Sequence, residues 1–106
     1  MDNQISIDEL TVLLVEPSKT QQKLICQHLM ALGLGAENIL HVANGQDSIT
    51  EMTNFNPDLV ISAMYLPDMT GTDLVQTMRS TEASQNIPYM LISSETSFRA
   101  LDPIRQ

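Results

Sequence analysis

Short aliphatic runs alternate along this chain with longer segments whose apolar residues recur every three or four positions. Thr11–Glu16 (TVLLVE) is β-branched and aliphatic and predicts a buried strand, which Pro17 stops. Ser18-Lys19-Thr20-Gln21 has the spacing of a helix N-terminus and opens a helix to about Leu32. Ile25, Leu29 and Leu32 fall on one face of it, expected to meet the sheet, with Leu24 and Cys26 flanking. Gly33 and Gly35 end that helix. Asn38–Val42 predicts a second strand. Asn44-Gly45 in isolation is a hairpin signal, but Ile49 and Met52 follow at helical spacing. The reading is therefore a strand-to-helix turn over 43–47 and a second helix ending near Phe55. Asp58–Ala63 is nearly all apolar and predicts a central third strand. Gly71–Thr81 predicts a third helix with Leu74, Val75 and Met78 inward. Pro88–Ser93 predicts a fourth strand, and Glu95–Ile104 a fourth helix interrupted at Pro103.

Strand and helix alternate with short connections. That order calls for a doubly wound α/β domain, a parallel sheet with right-handed crossovers and helices on both faces. In such a sheet, sites form at the carboxyl ends of the strands. Here these are Glu16-Pro17, Asn44-Gly45, Ala63-Met64-Tyr65 and Ser93-Ser94. Residues 1–10 are expected as a flexible leader and residues 11–106 as one domain.

Composition narrows the function. A net charge of −8 with five basic residues opposes nucleic acid and anionic membrane surfaces, which need clustered Lys and Arg. The charge suits a neutral or basic protein partner, although solubility alone is the favoured reason for it. Cys26 is alone, so no intrachain disulfide forms, and it reads as a small buried hydrophobe. The first eleven residues lack a signal-peptide core, and a cytoplasmic location is the expectation. His28 and His41 have no partner at metal-ligand spacing and read as structural. No glycine-rich phosphate loop, Ser-His-Asp or CxxC pattern is present.

Four segments carry a resemblance to a known family: Val12-Leu13-Leu14-Val15-Glu16-Pro17-Ser18, Val42-Ala43-Asn44-Gly45, the run from Pro57 to Gly71, and Ile87-Pro88-Tyr89-Met90-Leu91-Ile92-Ser93-Ser94. In this order and spacing the chain resembles the receiver domain of two-component response regulators. The resemblance implies a flavodoxin-like fold with strand order 2-1-3-4. It implies that an aspartate ending the third strand accepts a phosphoryl group, and that position holds Ala63. Of the two acidic residues that help bind Mg²⁺ in the family, the first is Glu16 and the second is replaced by Pro17. Tyr65 stands where a backbone carbonyl is offered to the metal, and Ser93 where a hydroxyl meets the phosphoryl oxygen. The family's lysine lies on a fifth strand; fifth strand and fifth helix are expected to be absent before Gln106. The fourth strand would then be an open edge, which predicts a homodimer.

Phosphoryl transfer works by positioning an anion and neutralising it with a metal. Ala63 offers no nucleophile, and Glu16 alone is a poor Mg²⁺ site. The expectation is a receiver-like domain that is not an enzyme, keeps no cofactor, and signals through protein contacts with a degenerate pocket of Glu16, Pro17, Ala63, Tyr65 and Ser93. Alternatives are phosphorylation at another residue, an alteration at Ala63, and, remotely, a small flavodoxin-like enzyme or nucleotide binder. Glu16 is expected as a solvated carboxylate at a helix N-terminus, with a weak residual metal ligand as the sharper alternative. Asp68 is expected to cap a turn or helix rather than accept phosphate. Met64, Tyr65 and Leu66 form a docking surface, or else Met64 and Leu66 fill the space that the missing aspartate leaves, with Tyr65 the better interface candidate.

Overall fold

The computed structural model describes residues 6–92. Four parallel strands, β1 (Val12–Val15), β2 (Ile39–Val42), β3 (Leu59–Ala63) and β4 (Tyr89–Ile92), stand in the order β2-β1-β3-β4. Three helices connect them: α1 (Lys19–Ala31), α2 (Gly45–Phe55) and α3 (Gly71–Ser80). The alternation of β1 decides the layers. Val12 and Leu14 join Leu34 and Ile61 in a core on the side of α1, where Ile25, Cys26 and Leu29 pack. Leu13 and Val15 join Val60, Met52, Leu74 and Met78 in the core beneath α2 and α3. All four β1 residues are fully buried, as expected of a strand covered on both faces.

The helix ends follow local chemistry. Ser18 caps α1 by accepting from the Gln21 amide. The helix stops by a paired C-terminal motif: the Leu34 amide donates to the Leu29 carbonyl and the Gly33 amide to the Met30 carbonyl, with Gly33 at φ +115°. This turn corrects the expectation for Leu32. It is the cap residue, outside the last turn, and is 68% exposed, while Leu34 enters the core in its place. Val75 is half-buried beside the fully enclosed Leu74 and Met78. The second strand starts at Ile39 because Asn38 closes a 3-10 turn, Ala36–Asn38.

The end of the expected leader is also packed. Ile7–Glu9 forms a 3-10 turn, Asn38 Nδ2 donates to the Asp8 carbonyl at 2.7 Å, and Leu10 lies against the α1-side core. At the opposite end from the strand carboxyl termini, Asp58 Oδ2 accepts from both the amide and the hydroxyl of Thr11, each at 3.0 Å. Glu95–Ile104 lies outside the described residues.

Leu74 is the pivot of the α3 face. Leu74→Ala should cost about 2–5 kcal/mol, read in urea melts as a lower midpoint at unchanged slope. A loss below about 1 kcal/mol would mean that the α3 face is not packed as described.

Candidate functional site

The strand order brings the carboxyl ends of β1 and β3 side by side. Val15 pairs with Ser62, so one further step sets Glu16 beside Ala63, at the roughly 4.8 Å spacing of neighbouring strands. Ala63 is 8% exposed and Glu16 only 4%. The expected solvated Glu16 is thus corrected. Pro17 bends the chain so that Ser18, the cap of α1, donates its amide to Glu16 Oε2 at 3.0 Å. The Glu16 amide donates to the Val42 carbonyl, and its own carbonyl accepts from Gln22 Nε2 at 2.6 Å. Three hydrogen bonds, two from α1 and its cap and one to β2, therefore hold this residue at the start of α1. Its Oε1 is buried without a hydrogen-bond partner among the described residues, an arrangement that costs free energy unless something else supplies a donor or a cation.

A hard Mg²⁺ ion prefers six oxygens in octahedral array. Glu16 supplies one carboxylate here, while Ala63 and Pro17 supply no side-chain oxygen. Among the described residues no group of three His, Cys, Asp or Glu converges as a metal site. Among the described residues these side chains offer fewer oxygens than such an ion prefers. Pro17 is exposed. Ser93 and Ser94 lie outside the described residues.

The segment after Ala63 is tied down at several points. The Gly71 amide donates to the Met64 carbonyl at 2.7 Å, the Leu66 amide donates to the Met69 carbonyl at 3.0 Å, and Tyr65 bridges to Thr70. Of the candidate interaction surface, Leu66 packs on the α2/α3 core and Met64 is half-buried. Tyr65 alone projects, 72% exposed.

Asp68 caps a helix, but not the one it precedes. Its Oδ1 accepts from the Gly45 amide at 2.8 Å and its Oδ2 from the Gln46 amide at 2.9 Å, both in the first turn of α2. Asn44 takes the next amide, that of Asp47. Met69 lies so close to Gly45 that a Cβ there would overlap its side chain. Asp68 and Met69 therefore clamp the β3–α3 loop onto α2. The amides of Gly45 and then Gln46 hold the Asp68 carboxyl below its ordinary value of 3.8. The helix α3 starts with its own reciprocal cap, Thr70 and Asp73, a Thr-x-x-Asp signal readable in the sequence.

A polar network lies behind Ala63. Ser62 is fully buried, and its hydroxyl donates to the Ala63 carbonyl at 2.8 Å. Tyr89 reaches across from β4 and donates to the Gly71 carbonyl at 2.8 Å. Burial pushes the Tyr89 hydroxyl above its ordinary 10.0, with Ser62 pulling the other way. A Cβ on Gly71 would stand 2.8 Å from the Ala63 carbonyl oxygen and 3.0 Å from the Tyr89 hydroxyl. No local sequence signal marks the Ser62 and Tyr89 contacts, because their partners are 18 residues apart or hidden in main-chain carbonyls.

Two outcomes follow from this geometry. Gly71→Ala should cost about 1–3 kcal/mol through overpacking against the main chain, measured by thermal or urea melts; a neutral effect would contradict the close approach. The Asp68 clamp has a pH sign. A carboxyl depressed in the folded state contributes stability above its ordinary value, and loses it as pH falls through the lower folded value. The amide resonances of Gly45 and Gln46 should titrate with a midpoint below 3.8, and Asp68→Asn should abolish that titration. Shifts that survive the substitution would place the titrating group elsewhere.

Comparison with known proteins agrees with this architecture. The Autoinducer 1 sensor kinase/phosphatase LuxN of Vibrio campbellii is 30% identical over 103 residues, covering 97% of this chain and 12% of that protein. The chain thus spans only a small part of that curated relative's length. The chemotaxis protein CheY1 of Helicobacter pylori is 29% identical over 87 residues, covering 81% of this chain and 68% of CheY1. Among solved structures, the receiver domain of a histidine kinase from Syntrophus aciditrophicus superposes with a TM-score of 0.72 at 28% identity, covering 87% of this chain and 70% of that one. The family model for the response regulator receiver domain matches residues 12–102, and the chain belongs to that family.

Proposed function

We propose that this receiver domain does not accept phosphate at the usual position and signals by protein contact in a conformation set by its own packing. The observation that carries the proposal is Ala63, a buried methyl at the end of β3 beside the single carboxylate of Glu16. A methyl group cannot attack phosphorus. One carboxylate cannot gather the charge that a phosphoryl-transfer site uses to neutralise its substrate. Pro17 supports the same reading, because it removes a second oxygen donor from the first strand's end. Asp68 is no substitute acceptor, since both of its oxygens are engaged by α2 amides.

The clamp supports the second half of the proposal. In a switching domain the loop after β3 must exchange between arrangements, and a ligand moves that balance only by its differential affinity for the two. Here Asp68, Met69 and the Met64–Gly71 bond tie the loop to α2 and α3 through the protein's own contacts. A partner would then read the resting surface around Tyr65.

Thermal melts with Mg²⁺ and with a chelator test the proposal. A bound ion stabilises the state that binds it, so the wild-type midpoint should be the same in millimolar Mg²⁺ as in chelator. The Ala63→Asp variant, with two adjacent carboxylates, should melt lower in chelator and regain part of the loss in Mg²⁺. A Mg²⁺-dependent rise in the wild-type midpoint would contradict the loss of the metal site.

A further inference from the structure

The chain has two lysines, Lys19 and Lys23, and both lie on α1 one turn apart. Together with His41 they line an open groove between α1 and β2. β2 is an edge of the sheet. His41 pairs with Leu14, so its side chain emerges on the α1 side at that edge. Cys26 and Met30 line the same groove, the first half-buried and the second 45% exposed. Among the described residues no acidic side chain lines the groove, and α1 contains none. This is a local cationic strip on a chain of net charge −8.

We infer that this groove docks an acidic, partly apolar segment of a partner protein. The carboxylates of that segment would meet Lys19, Lys23 and His41, and an apolar side chain would lie on Cys26 and Met30. The length of the groove favours a peptide over a free anion. From Lys19 to Met30 the helix rises about 16 Å, room for several residues and far more than one phosphate needs. The charge distribution adds specificity. The net negative charge of the chain opposes an acidic partner at long range, which favours approach to a locally cationic strip. A second copy of this chain would carry the same excess negative charge, which opposes self-association through this face. The inference does not depend on whether phosphate is accepted, since none of Glu16, Pro17, Ala63 and Tyr65 lines the groove.

The test uses a fluorescein-labelled peptide of repeated Glu-Leu-Glu-Glu, its Gln-for-Glu counterpart, and the full chain. Fluorescence anisotropy should show binding of the acidic peptide only, weakening as salt rises. The exposed double variant Lys19→Glu/Lys23→Glu should weaken it at least about tenfold while keeping the wild-type melting profile. Alkylation of Cys26, whose thiol burial pushes above its ordinary 9.0, should slow in the complex. The proposal is overturned if the acidic peptide fails to bind, if the Gln peptide binds equally, if charge reversal leaves affinity unchanged, or if Cys26 is not protected. It is also overturned if light scattering shows that the groove is closed by self-association that the double variant abolishes.

Discussion

Everything in this domain depends on β1 being buried on both faces. Val12 and Leu14 face one layer, Leu13 and Val15 the other, and none is accessible to solvent. A strand of that kind needs helices on both sides, and right-handed crossovers then place α1 opposite α2 and α3. The same constraint forces β3 alongside β1 in register. Glu16 and Ala63 become neighbours as a consequence of core packing, whatever chemistry those two positions carry.

The proposed function treats the backbone of the site and its charged groups as separable. The backbone features remain: the strand end at Ala63, the carbonyl of Met64 accepting from Gly71, the close approach of Gly71 to the Ala63 carbonyl. Among the described residues, the strand ends carry one buried carboxylate, Glu16, with one oxygen unpaired. Receiver-family membership concerns the first set. The proposal of a silent pocket concerns the second. The loop is held by Asp68 across the first turn of α2 and by Tyr89 at the start of α3.

Much of the fold was legible because local and global signals agree. The aliphatic runs gave the four strands to within a residue or two at either end, and Gly33, Ser18 and Thr70 mark helix ends by known cap chemistry. Leu32 misled because it continues the apolar period one step past the residue where Gly33 reverses the chain. The carboxyl-end positions Glu16 and Ala63 were also legible, from strand endings alone. Glu16's burial was not, since it depends on the bend at Pro17 folding α1 over its carboxylate. Asp68 was legible as a cap but not as a cap for α2, because its partners lie more than 20 residues away. The cationic groove was hidden for the same reason: Lys19, Lys23 and His41 come together only when β2 joins the sheet beside β1.

The central claim is that this chain keeps the receiver scaffold without its phosphoryl chemistry. Intact-mass spectrometry after incubation with Mg²⁺ and a small-molecule phosphoryl donor tests it most directly. The account predicts an unchanged mass, with the Asp68 clamp and the Glu16 contacts intact. Stable Mg²⁺-dependent addition of one phosphoryl group would contradict it, and mapping that group would name the acceptor that Ala63 cannot be.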